Sequence, residues 1–179
     1  MTNASTPQKL INIAVLTVSD TRTLATDKSG ATLIERLQGA GHSLAQHSIV
    51  KDDVYQIRAA VSTWVADSNV HAVLVTGGTG FTARDTTPDA LLPLFDQVIE
   101  GFGELFRSLS YAEVGTSTIQ SRTIAGVANR TVIFSIPGST GACRTAWDGI
   151  IEQQLDSRHT PCNFVEMVTF HSSAQHTAQ

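Results

Sequence analysis

The chain has 179 residues and a mass of 19.1 kDa, the size of one ordinary domain with ample chain to bury a core. Its 41% hydrophobic and 16% charged residues exclude a disordered polymer, and a net charge of −4 excludes a general basic surface for nucleic acid. No apolar run approaches the roughly 20 residues that span a bilayer, and Met1 to Lys9 is polar, without the apolar segment of a signal peptide.

A cytoplasmic protein is therefore expected. Of its two cysteines, Cys143 and Cys162, neither stands at metal-ligand spacing. Reduced thiols are expected in that compartment, with a disulfide between them the open alternative. The six histidines are scattered without a ligand pair. Residues 1–10 are expected to be a flexible N-terminus and 164–179, with His171 and His176, a mobile polar tail.

Ile11 to Ser19 is apolar and rich in branched residues, the pattern of a strand buried on both faces. After a polar loop from Asp20 to Lys28, the spacing of Leu33, Ile34 and Leu37 predicts a helix from Ser29, stopped by Gly39 and Gly41. His42 to Val50 reads as a second strand. Asp52 or Asp53 can cap the next helix, whose apolar face uses Ile57, Val61, Trp64 and Val65. Val70 to Val75 is a third strand.

That strand runs into Thr76-Gly77-Gly78-Thr79-Gly80 and the charged loop Arg84-Asp85. Thr86 or Thr87 can cap the following helix, with Pro88 in its first turn and Ala90, Leu91, Leu94 and Phe95 on its apolar face. A helix over Phe102 to Ser110 follows, then two strands, Thr123 to Ala128 and Thr131 to Ile136, joined at Asn129-Arg130. Pro137-Gly138-Ser139 makes another turn at a strand end before helical character from Thr140 to Leu155. Alternating strands and helices predict an α/β fold, a mostly parallel sheet covered on both faces.

In such folds ligands gather outside the carboxyl ends of the strands, so the loops after Ser19, Val75 and Ile136 share one rim. Consecutive glycines let a ligand reach backbone N–H groups, and threonine hydroxyls add donors, which together suit a phosphate. A carboxylate beside a phosphate cradle conflicts with it electrostatically unless a hard cation joins the two, and magnesium binds in that way. Asp85 is the candidate. The loop matches neither the Walker lysine motif nor the dinucleotide fingerprint, and glycine turns also occur only to pack a strand on a helix.

Thr76-Gly-Gly-Thr-Gly80, Asp85-Thr-Thr-Pro-Asp89, Gly101-Phe-Gly-Glu104 with Phe106-Arg107, Ser121-Arg122 and Pro137-Gly138-Ser139 together resemble the MoaB/MogA family of molybdenum cofactor biosynthesis. The likeness runs from about Ile11 to about Asn163, and Gly115 to Arg122 with Ala142 to Trp147 is most similar to the MoaB branch. It implies a three-layer α/β/α sandwich, a homotrimer or hexamer, molybdopterin as ligand, and contact with other proteins of the pathway. For the catalytic branch it implies magnesium-dependent adenylyl transfer from ATP to molybdopterin; a non-catalytic molybdopterin-binding protein is the alternative.

Carried over by motif, the resemblance implies Asp85 as catalytic and magnesium-binding, Asp52 as a second acid, and Thr76, Gly77, Gly78, Thr79, Gly80, Ser121, Arg122, Pro137, Gly138 and Ser139 as ligand-binding. Plainer roles stand beside these. Asp52 can be only a helix cap. Arg107 and Arg122 can be solvated or paired across a subunit contact, and Ser121 can be a simple loop serine. Gly101 to Gly103 reads as a structural turn, Trp64 and Trp147 as core or interface, and Gly115 to Ser121 as either a subunit interface or a ligand loop.

Overall fold

The computed structural model describes residues 6–170. Six strands form one mixed sheet: β1 (Asn12–Val18), β2 (Ser43–Val50), β3 (Ala72–Thr76), β4 (Gln97–Val98), β5 (Ile124–Ala128) and β6 (Thr131–Ile136), in the order β2-β1-β3-β6-β5-β4. The first four in that order are parallel, while β5 runs antiparallel to both β6 and β4. The helices are α1 (Lys28–Gly39), α2 (Val54–Ala66), α3 (Thr87–Leu91), α4 (Glu100–Val114), α5 (Thr140–Ala146), α6 (Glu152–Gln154) and α7 (Val165–Thr169).

Alternation along the central strands decides the layering. Ile13, Val15, Leu74 and Phe134 enter one apolar cluster with Leu33, Leu37, Phe102, Phe106 and Trp147, beneath α1, α4 and α5. Their neighbours Ala14, Leu16, Val73, Val75 and Ile133 enter a second with Ile57, Val61, Trp64 and Leu91, beneath α2 and α3. A sheet buried on both faces explains the uninterrupted apolar runs of β1, β3 and β6 and gives the three-layer α/β/α sandwich.

Several local expectations are corrected. Asp53, not Asp52, caps α2, its carboxylate accepting from the N–H groups of Tyr55 and Gln56. Neither Thr86 nor Thr87 gives a side-chain cap to α3, because their hydroxyls are drawn to Asp52 and the Gly77 carbonyl. The helix over Ala90 to Phe95 breaks into a single 3₁₀ turn at Leu92–Leu94. Gly101 and Gly103 lie inside α4, and bare Gly103 lets the helix approach the Thr123 carbonyl, which an added Cβ would meet at 2.6 Å.

Cys143 is buried and free and Cys162 exposed and free. Within the segment expected as a tail, α7 inserts Val165 and Val168 into the first core cluster. At the other end Gln8 donates to the Ala40 carbonyl and the Lys9 N–H to the Ser157 hydroxyl, which ties 8–9 to the body. Residues 1–5, His171 and His176 lie outside the described residues. Among the described residues, no helix is long and apolar enough to cross a membrane.

Candidate functional site

β1, β3 and β6 are adjacent and parallel, so the loops leaving their carboxyl ends meet at one edge of the sheet. A cleft of about 620 Å³ opens there. One wall is the loop after β1, Ser19 to Arg22; the floor is Gly77 to Gly80 and Pro137 to Ser139; the far wall is α4 with the 3₁₀ turn Gly115–Gln120.

Gly77 and Gly78 have φ of +106° and +62°, a region that favours glycine. A Cβ on Gly77 would lie 2.2 Å from the Val18 carbonyl oxygen, and one on Gly138 would lie 3.2 Å from the Gly77 Cα. Two bare backbones thus meet in the floor: a side chain on Gly77 would push β3 away from the end of β1, and one on Gly138 would press on the Gly77 backbone.

Not every expected donor reaches the cleft. The Thr76 hydroxyl donates to the Pro137 carbonyl at 3.0 Å and sits beside the Cys143 thiol, and the Gly77 N–H donates to the Ile136 carbonyl. Both serve to join β3 to β6. Among the described residues no protein acceptor takes the N–H of Gly78 or Thr79, which leaves these as the loop's donors. Burial pushes the Cys143 thiol up, so this cysteine is a packing residue rather than a nucleophile.

Asp85 lines the cleft, half-buried. Its Oδ2 accepts from the Thr82 N–H at 2.9 Å and the Thr82 hydroxyl at 2.6 Å. Burial is the largest single influence on its carboxyl and works upward. The Thr82 bonds, the Gly80 N–H and the Arg122 charge together overcome it and hold the group below the usual carboxylate range. Asp85 is therefore an anion at neutral pH, suited to a hard cation.

Asp52 stands directly behind the loop. Its Oδ1 accepts from the Thr86 N–H at 3.0 Å and hydroxyl at 2.7 Å, while its Oδ2 lies 2.6 Å from where a Gly78 Cβ would sit. Arg122 does not line the cleft. Its Nε donates to the Gly80 carbonyl at 2.7 Å, Nη1 to Asp89 at 3.0 Å and Nη2 to the Asp85 carbonyl, with the guanidinium over the Phe81 ring. It grips both ends of the loop that presents Asp85. Ser121 lines the cleft with its hydroxyl bonded to Thr123, and Ser139 caps α5 through the Ala142 N–H.

Sequence reasoning placed the loop after β1 on this rim but singled out no residue within it. Arg22 lines the cleft, donating to the Ser29 hydroxyl and to the Gly138 carbonyl, each at 2.9 Å. Behind it the buried Asp27 accepts from the Thr17 hydroxyl and the Gly30 N–H and lies 3.2 Å from the His47 ring. Burial again opposes, but these bonds and His47 hold the Asp27 carboxyl below the usual range. Phe106, Ser110 and Glu113 complete the α4 wall; the helical period and the Phe106-Arg107 motif marked Phe106, whereas Glu113 lies beyond the helix end expected at Ser110.

A glycine-floored crevice at the carboxyl ends of adjacent parallel strands defines an α/β ligand-binding domain. The family model described as "Probable molybdopterin binding domain" matches residues 14–157, and the chain belongs to this family, the MoaB/MogA group of molybdenum cofactor biosynthesis proteins. It is 56% identical over 164 residues to Molybdenum cofactor biosynthesis protein B of Escherichia coli (strain K12), spanning 92% of this chain and 96% of that relative. A crystal structure of Molybdenum cofactor biosynthesis protein B superposes with a TM-score of 0.81 at 46% identity, covering 84% of this chain and 94% of the other. The tungsten cofactor synthesizing protein MoaB from Pyrococcus furiosus gives 0.72 at 37% identity over 79% and 91%.

Proposed function

We propose that this chain binds molybdopterin in the cleft and adenylylates it with magnesium-ATP. The single observation that carries this reading is Asp85: an ionised carboxylate held by its own loop beside a floor of bare glycine backbone. A terminal phosphate oxygen of molybdopterin attacks the α-phosphorus of ATP, the bond from that phosphorus to the bridging oxygen breaks, and pyrophosphate leaves with the electron pair. A phosphate oxygen is already an adequate nucleophile, so positioning and charge neutralisation dominate.

The N–H groups of Gly78 and Thr79 bind phosphate oxygens, Ser121 and Ser139 orient the pterin end, and Asp52 braces the Thr86 end of the glycine loop. One carboxylate with substrate phosphates is a donor set that fits magnesium, which commonly keeps few protein ligands. Bound there, magnesium would neutralise charge developing on the leaving pyrophosphate.

A non-catalytic molybdopterin-binding role is the second reading. It is favoured by the engagement of Asp85 Oδ2 with both the N–H and the hydroxyl of Thr82. We place the protein in the cytoplasm as a homotrimer or hexamer alongside other proteins of the pathway, with the exposed Leu105, Tyr111, Val114 and Ile119 as candidate subunit contacts. Sedimentation of the purified protein tests the assembly; a monomer would refute it.

Molybdopterin-dependent pyrophosphate release from magnesium-ATP, with Asp85→Asn in parallel, tests the chemistry. Turnover that collapses in the variant supports adenylylation. A folded wild type that binds molybdopterin without turnover leaves the binding role alone.

A further inference from the structure

Three arginines border the glycine loop or the Pro137–Ser139 turn opposite, and their hydrogen bonds divide them. All three guanidinium nitrogens of Arg122 are used within the fold. Arg22 has both terminal nitrogens on Ser29 and Gly138. Arg84 gives a single nitrogen to the Asp20 carboxylate, with 66% of its side chain exposed.

The position of that pair matters. Asp20 stands between Ser19 and Thr21, which line one wall of the cleft, while Arg84 immediately precedes Asp85 on the other side. The pair therefore joins the loop after β1 to the loop after β3 at the cleft's edge. The 80–85 loop has a fixed base and an exposed tip: Arg122 holds the carbonyls of Gly80 and Asp85, whereas Phe81 to Arg84 are all exposed. Asp20 is independently placed, its Oδ1 taking the Asp52 N–H at 3.4 Å.

The geometry points to Arg84 as the residue that takes the β- and γ-phosphates of the nucleotide, with Asp20 holding its guanidinium until a polyphosphate arrives. This rests on the adenylyl-transfer reading. An exposed arginine–carboxylate pair contributes little stability, so giving it up costs little. A polyphosphate carries more charge and accepts the planar guanidinium fork in two-point fashion, so the exchange favours the ligand. When the bond from the α-phosphorus to the bridging oxygen breaks, the electron pair passes to pyrophosphate, and the guanidinium meets the charge where it develops.

The test uses full-length protein and two readouts, steady-state adenylylation and calorimetric binding of magnesium-pyrophosphate. Arg84→Ala is expected to raise the KM for ATP and the Kd for magnesium-pyrophosphate about 10- to 100-fold, the range for loss of a charge-assisted contact. Arg84→Lys falls between. Asp20→Asn, which removes the competing charge but keeps an acceptor for the Asp52 N–H, tightens both about two- to fivefold. Molybdopterin and AMP affinities stay at wild-type values in all three.

A strut that merely holds the two loops together would make Asp20→Asn as damaging as Arg84→Ala, and that result overturns the assignment. Turnover in wild type with unchanged constants in Arg84→Ala overturns it while sparing adenylylation. No turnover, with magnesium-pyrophosphate binding lost in Arg84→Ala, overturns adenylylation and upholds the polyphosphate role. Wild type that neither turns over nor binds magnesium-pyrophosphate sinks both.

Discussion

Gly78→Ala is the most direct probe of why the floor of the cleft is bare. Two costs add. The residue sits at φ +62°, where a side chain costs about 1 kcal/mol or somewhat more. The new methyl would lie 2.5 Å from the Thr87 hydroxyl and 2.6 Å from Asp52 Oδ2. The Thr87 hydroxyl then gives up its 2.8 Å bond to the Gly77 carbonyl, worth about 1 kcal/mol net. We expect a loss of about 2–3 kcal/mol, or a fall in Tm of about 5–10 °C for a chain of this size.

Gly39→Ala is the matched control, because nothing lies within 4 Å of its added Cβ at the end of α1. The same change there is expected to stabilise by about 0.5 kcal/mol through the denatured chain. Urea unfolding followed by circular dichroism measures both. If Gly78→Ala lies within about 0.5 kcal/mol of wild type, the default scatter of a neutral surface change, the steric reasoning is wrong.

Arg122→Ala removes the clamp on Gly80 and Asp85 and should cost about 2 kcal/mol by calorimetry; Arg122→Lys recovers little of it, since one ammonium cannot reach three acceptors. Asp53→Ala should cost about 1 kcal/mol as a lost cap while molybdopterin binding is retained, whereas Asp52→Ala should impair binding, the reverse of what a cap at Asp52 predicts. Burial lowers the His42 pKa, with Asp156 opposing, so the unfolded chain takes up a proton near pH 6.5 that the fold resists. Stability therefore falls as pH drops below about 6.5. The lowered carboxyls of Asp27, Asp85 and Asp156 keep their contribution until pH falls below about 4. Melting curves from pH 7.5 to 5 should slope in wild type and flatten in His42→Gln; identical slopes would refute the assignment.

The sheet was legible because its central strands are buried on both faces, so β1, β3 and β6 are written as unbroken apolar runs. β4 was not, since two exposed residues, Gln97 and Val98, carry no period. The tail was misread for a similar reason: Val165 and Val168 look like any polar-flanked pair until α7 meets the core. At the site, glycines and the Asp85 loop stood out because backbone conformation restricts residue type.

Arg22 and the Asp27–His47 pair did not stand out, since a charged loop looks the same whether it faces solvent or folds under a cleft. Arg122 was visible as a cation, but which acceptors it meets depends on residues some 40 positions earlier in the chain. Between Asp52 and Asp53, Asp53 is the cap, while the Asp52 carboxylate is engaged by Thr86, 34 positions along the chain, a contact no local pattern shows.

The Asn129-Arg130 turn has both residues at positive φ, 45° and 67°, and closes β5 on β6 with register Ala128 to Thr131. Its contacts are local, so this hairpin can form on the microsecond scale typical of such units. The parallel pairs β1–β3 and β3–β6 demand closure of far longer loops before any contact repays them. The cleft floor, where Gly77 meets Gly138, belongs to that slower event. A chain emerging in order therefore holds its Asp85 loop without a binding surface until β6 docks, and assembly of the site reports closure of the parallel part of the sheet.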